Sequence, residues 1–123
     1  NLSLFNFISE WYGTKYLFGG TTKKGIDCSA FTRELVKSVF NLELPRVVTG
    51  QFTKCIKIAK EDLKPGDLVF FETYKPGLSH VGYYLGDNKF IHSASRGVTI
   101  DDLDNSYYKN RFRTGGRIKD LQQ

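Results

Sequence analysis

The chain has 123 residues, 40% of them hydrophobic and 25% charged, which is enough for one hydrophobic core and too little to argue for two. Eighteen Lys and Arg against thirteen Asp and Glu leave a formal charge of +5, a balance that favours anionic partners in general. No basic block exceeds two residues and neither zinc-finger spacing nor an RNA-binding aromatic signature is present, so nucleic acid is not an expected partner.

Leu4, Phe5, Ile8, Trp11 and Tyr12 recur at helical spacing and predict a first helix that stops at Gly13. A Gly-rich turn, Phe18-Gly19-Gly20, and then Gly25-Ile26-Asp27 lead into a second helix. Its apolar stripe is Cys28, Phe31, Leu35, Val39 and Phe40, with Asp27 or Ser29 available as its cap. Leu44-Pro45-Arg46 cannot continue that helix, and a weaker helical segment is expected over 49–55. From Lys64 the period changes: Lys64-Pro65-Gly66-Asp67 reads as a turn, followed by strands over 68–72, 80–85, 89–95 and 97–100. One helical turn over 104–109 and a closing strand over 111–118 complete the chain. Helices first and strands afterwards predict an α+β fold with an antiparallel sheet. No apolar run approaches the roughly 18 residues needed to cross a bilayer. The sequence opens at Asn1 without a signal-peptide pattern, so it is expected to be processed or trimmed.

The residue that carries chemistry is Cys28, at the predicted start of the second helix. A thiol there meets the positive end of the helix dipole, which predicts a lowered pKa, in the range of about 3.5 to 7.5 for reactive cysteines. The only two histidines, His80 and His92, come much later, in strand-like runs, and the order Cys, His, His reads as a cysteine hydrolase built between a helix and a sheet. Strand parity tests this. A two-residue turn at Asp87-Asn88 would put the two imidazoles on opposite faces, whereas a three-residue turn over Gly86-Asp87-Asn88, or a bulge, puts both on one face with Gly82 opposite His92. His80, at the mouth of its strand, is the better base and His92 the better orienter of that base. The Cys28 N–H and the Tyr16 hydroxyl could stabilise an oxyanion. A disulfide with Cys55 would consume the candidate nucleophile, and Cys55 is read as a buried structural thiol. Cys28, Cys55, His80 and His92 are metal-binding residue types, but they lack the short paired spacing of structural zinc sites, so no metal is expected.

Six blocks in order carry a resemblance. They are Gly13-Thr14-Lys15-Tyr16-Leu17-Phe18-Gly19-Gly20, Gly25-Ile26-Asp27-Cys28-Ser29-Ala30-Phe31, Leu44-Pro45-Arg46, Gly66-Asp67-Leu68-Val69-Phe70-Phe71, His80-Val81-Gly82-Tyr83-Tyr84-Leu85-Gly86 and Phe90-Ile91-His92-Ser93. Through them the chain resembles the NlpC-type cysteine endopeptidases of the bacterial cell wall, and in spacing the Spr-like murein endopeptidase lipoproteins. The resemblance implies a papain-like α+β domain over 1–123, with N-terminal helices packed on a central antiparallel sheet. It implies Cys28 as nucleophile, His80 as base, His92 as the orienting third residue and Tyr16 near the oxyanion. Asp27 and Ser29 fall where some members grip the substrate peptide. Implied too are peptide stems or crosslinks of peptidoglycan as substrate, no cofactor, a monomer, a cell-envelope location and attachment to a membrane only through a lipid anchor upstream of this chain. Ala30 departs from the glycine more usual after Cys-Ser, and Cys55 is not a family feature. A non-catalytic wall-binding domain and an amidase or acyltransferase on the same fold remain alternatives, and the retained Cys28, His80 and His92 argue against the first.

Overall fold

The structure is a computed structural model, and it describes residues 1–121. Helix α1 (Leu2–Trp11) starts at Asn1, whose side chain accepts a hydrogen bond from the Leu4 N–H at 3.2 Å. Its buried stripe is Phe7 and Trp11 with Leu4 and Ile8 partly covered, while Phe5 and Tyr12 of the predicted stripe point outward. The phase is set by a three-ring contact: Phe7 stacks on Trp11 at 5.7 Å, and both meet Phe31 of the next long helix at 5.6 and 6.5 Å. A two-residue hairpin, β1 (Thr21–Thr22) with β2 (Gly25–Ile26), then delivers the chain to α2 (Cys28–Phe40). This helix buries Phe31, Leu35 and Val36 completely and ends at Asn41 in the left-handed region, φ 55.

Helix α3 (Val48–Thr53) stops two residues before Cys55, which opens β3 (Cys55–Ile58) rather than closing the predicted helix. The remaining elements are β4 (Leu68–Phe71), β5 (His80–Gly86), β6 (Lys89–Ala94), β7 (Gly97–Asp102), α4 (Ser106–Arg111) and β8 (Phe112–Ile118). Six of the strands form one sheet in the order β3-β8-β4-β5-β6-β7, antiparallel throughout. The expected α+β architecture, helices packed against an antiparallel sheet, is therefore present.

Alternation in β4 divides the core. Leu68 and Phe70 join Val81, Tyr83 and Ile91 under α1 and α2, whereas Val69 and Phe71 join Tyr84, Phe90 and Leu103 on the opposite face, where Tyr108 of α4 and Phe112 pack against them. The side chains of β5 and β6 that share a face with Tyr84 and Phe90 include His80 and His92.

The β5–β6 turn is not the three-residue loop. Gly86 pairs with Lys89, and Asp87 and Asn88 form a two-residue turn with φ 51 and 67, the positive angles that a tight hairpin of the primed type requires. One residue further on, the register changes: Tyr84 pairs with Phe90 and Tyr83 with Ile91, so Leu85 is bulged out. The bulge restores the parity that the two-residue turn alone would have lost.

Candidate active site

Two elements place the thiol and its neighbours. Asp27, extended at φ −90 and ψ 177, caps α2 by accepting from the Ala30 N–H at 2.9 Å, and this puts Cys28 on the helix's first turn. The sulfur lies beside the start of β5: its hydrogen-bond acceptor is the Ser79 carbonyl at 4.0 Å, and the Val81 N–H faces it. His80 is the residue between those two. The thiol thus reaches the backbone that carries the first imidazole, and it makes no hydrogen bond to the ring itself.

The two histidines meet. His80 Nε2 lies 2.7 Å from His92 Nδ1, and His92 Nε2 lies 2.8 Å from Asp101 Oδ2. Both rings are buried, within a shell formed by Phe71, Phe90 and Tyr108. Gly82 makes room for them: a Cβ there would stand 2.7 Å from Phe90 Cδ2 and 3.2 Å from His92 Cβ. The space expected from parity is real, and any side chain at this position would displace the second histidine or its aromatic neighbour.

Burial decides the charge state. The Cys28 thiol is pushed up to about 11, first by loss of hydration, with the Asp27 carboxylate adding to it and the backbone N–H groups of Val81, Ser29 and Cys28 opposing it. This corrects the expectation of a thiolate. The carboxylate that caps the helix sits at the same end as the thiol and counteracts the dipole that would have acidified it. His80 is pushed down to about 3 by burial, then by His92, with Asp101 opposing. His92 is lowered by burial too, with the Asp101 hydrogen bond pulling the other way, whereas Asp101 is held below its ordinary value first by that same bond. These shifts favour a neutral thiol and neutral imidazoles at neutral pH, with the Asp101 carboxylate accepting from His92 in a charge-assisted hydrogen bond rather than an ion pair.

The other sequence-derived candidates line the approach. A cavity of about 400 Å³ is bordered by Tyr16, Asp27, Cys28, Ser29, Arg46 and Ser79. A second, of about 210 Å³, is bordered by His80, Tyr108 and Ser95 and shares Tyr16 and Tyr74 with the first. Cys28 opens on one lobe and His80 on the other. Tyr16 is held beside Ile26 by a single β-bridge, and its hydroxyl is kept protonated, first by burial and then by the nearby Cys28 and Asp27.

Asp27 is heavily engaged: besides Ala30 it accepts from the Gly19 N–H at 3.0 Å and from the Arg46 guanidinium at 3.1 and 2.9 Å, one bond to each carboxylate oxygen. Arg46 also donates to Ser29 Oγ at 2.9 Å. The sequence reading gave Arg46 and Asp101 no role. Arg46 is visible in the sequence as a charge directly after Pro45, beyond the end of the second helix. Asp101 was obscured because the last strand of the hairpin was expected to end at position 100, although residues 99 and 101 share a face in any strand and Thr99 pairs with His92.

Cys55, by contrast, is a free buried thiol whose hydrogen-bond acceptor is the Gln51 carbonyl at 3.5 Å, and it is pushed up to about 12, first by burial. Among the described residues no group of three or more His, Cys, Asp and Glu side chains is arranged to hold a metal ion.

Helices against an antiparallel sheet, with a cysteine at a helix N-terminus beside a strand that begins in histidine, define a papain-like α+β fold. The chain belongs to the NlpC/P60 family, whose pattern matches residues 13–117. It is 46% identical over 117 residues to a probable endopeptidase NlpC homolog of Haemophilus influenzae, covering 94% of this chain and 62% of that protein. It is 40% identical over 111 residues to the murein DD-endopeptidase MepS/murein LD-carboxypeptidase of Escherichia coli, covering 89% of this chain and 58% of that protein. The chain thus spans about 60% of the length of these curated relatives. Among solved structures, an NlpC/P60 family protein of Bacillus cereus superposes with a TM-score of 0.84 at 34% identity, over 94% of this chain and 39% of that one.

Proposed function

We propose that this chain is a bacterial cysteine endopeptidase of the cell envelope that cleaves peptide bonds in the stems or crosslinks of peptidoglycan. The observation that carries the reading is His80, hydrogen-bonded to His92, bordering a cavity that adjoins the one bordered by Cys28 across Tyr16 and Tyr74. The names of the relatives, a murein DD-endopeptidase and probable endopeptidases, supply the substrate class. The groups of the site all come from one chain, so a monomeric single domain suffices.

In the reaction, His80 Nδ1, the ring nitrogen that His92 does not engage, takes the Cys28 proton as the sulfur attacks the scissile carbonyl carbon. The tetrahedral oxyanion is met by the Cys28 N–H, one of the first-turn donors with no partner inside the helix, and by the protonated Tyr16 hydroxyl. Collapse breaks the C–N bond, and the leaving amine takes the proton back from His80. Water, deprotonated by the same nitrogen, then opens the thioester to a carboxylate and restores the thiol. Asp27 and Ser29, tied by Arg46, form a polar wall that receives the peptide backbone.

The test is incubation with purified crosslinked muropeptides, read by mass spectrometry. Two products cut at a peptide bond, whose masses together equal the substrate plus one water, are expected, together with their loss in Cys28→Ala. Binding without cleavage would make the chain a wall-binding domain, and cleavage only at the sugar-to-peptide amide would make it an amidase.

A further inference from the structure

We propose that Asp101 is a positioning residue that fixes the proton on both histidines and so keeps His80 Nδ1, the ring nitrogen that His92 does not engage, free to act as a base. The inference rests on the hydrolase reading above, and its physical content can be tested without activity.

The argument follows the protons. Asp101 is ionised and can only accept, so the hydrogen in its 2.8 Å bond belongs to His92 Nε2. A neutral His92 protonated there has a bare Nδ1, which must accept in the 2.7 Å contact with His80 Nε2. His80 therefore carries its hydrogen on Nε2, and its Nδ1 is the lone pair. Each step has one solution because a neutral imidazole holds one hydrogen. The chain also bears on the step in which charge appears: when His80 becomes imidazolium, its Nε2–H is already aimed at His92, whose far side is tied to a carboxylate.

Arg96 holds the other end of the chain. Its Nη2 lies 2.8 Å from both Asp101 oxygens, while its own side chain is largely exposed. Tyr108, whose ring lies 5.1 Å from that of His92, is the other titratable group against this cluster, and it is pushed up to about 12 and stays neutral. The carboxylate thus faces one imidazole, one guanidinium and one phenol. Replacing it by an amide would leave a single oxygen for which Arg96 competes, turning the Nδ2 donor toward His92. Every proton in the chain would then reverse, and His80 Nδ1 would carry a hydrogen and no longer be a base.

The experiment is a long-range proton–nitrogen NMR correlation of the two imidazoles in the full chain at neutral pH. Wild-type rings should both be protonated on Nε2, and Asp101→Asn should move both hydrogens to Nδ1. Kinetics should show kcat reduced on the order of 100-fold to 10,000-fold in Asp101→Asn with KM little changed, and partial recovery in Asp101→Glu. A wild-type ring protonated on Nδ1 would overturn the proposal even if Asp101→Asn fails to fold, and so would an unchanged kcat in folded Asp101→Asn. If the wild-type tautomers are as stated but Cys28→Ala still hydrolyses muropeptide, the hydrolase reading fails and the proton order stands.

Discussion

Two cysteines in this chain look alike by the usual measures and differ in every consequence. Cys28 is 6% exposed and Cys55 8%, both thiols are pushed well above their ordinary range by burial, and each leans on a backbone carbonyl. The difference lies in what surrounds them. Cys28 opens on a cleft, sits on the first turn of a long helix and contacts the backbone of Ser79 and Val81, the two residues that flank His80. Cys55 is pressed against β8, where a Cβ on Gly116 would come within 3.0 Å of its sulfur. Burial and acidity do not separate a nucleophile from a packing thiol, whereas neighbours and access do.

The largest expected effect follows from that contrast. Cys28→Ala should lower hydrolysis of crosslinked muropeptides by a factor on the order of 10⁴ or more, as loss of a nucleophile does, with an unchanged circular dichroism spectrum. Cys55→Ala should leave the rate within about twofold, because no reacting group touches it. A dead but folded Cys55→Ala would break the comparison.

Much of this was legible in the sequence because it depends on period and spacing. The long helix behind Asp27-Cys28, the strands carrying His80 and His92 and the need for a shared face all follow from local patterns. What escaped depended on contacts between distant segments. The phase of α1 is set by Phe31, 24 residues after Phe7, and not by the helix's own apolar spacing. The bulge at Leu85 has no residue signature, since Gly86-Asp87-Asn88 fits either loop length. The thiol's acidity was misjudged because a dipole can be read from position, while desolvation and the capping carboxylate appear only once the core is built.

Stability sharpens the comparison from the other side. Cys55→Ala removes a sulfur packed between α3 and β8 and should cost about 1 to 2 kcal/mol in urea unfolding, whereas Cys28→Ala, at the cleft floor, should cost less than about 1 kcal/mol. Acid should act through the region around Cys28. His80 is held near 3 in the folded chain against about 6.5 when unfolded, so the unfolded state binds the extra proton as pH falls below about 6.5. Stability is therefore full above that value and lost going down, by about 2 kcal/mol between pH 7 and pH 5 for this one group. His80→Gln should flatten that part of the profile, and an unchanged slope would show that other groups carry it.

The smallest effect is the most discriminating, because it reports the resting charge of the thiol directly. Alkylation by iodoacetamide follows the thiolate fraction and access. Both thiols are neutral at pH 7, so both should react more slowly than an unhindered cysteine. Cys28 should nevertheless be modified first, by about tenfold, since it borders an open cleft while Cys55 is packed against Gly116 of β8. Its rate should climb steeply between pH 7 and pH 9, because the thiol is held near 11 and the thiolate fraction grows about tenfold for each pH unit below that value. A rate for Cys28 that is already flat across that range would mean a thiolate–imidazolium pair exists at rest. In that case the helix dipole and His80 together outweigh desolvation, and the two cysteines differ in charge as well as in surroundings.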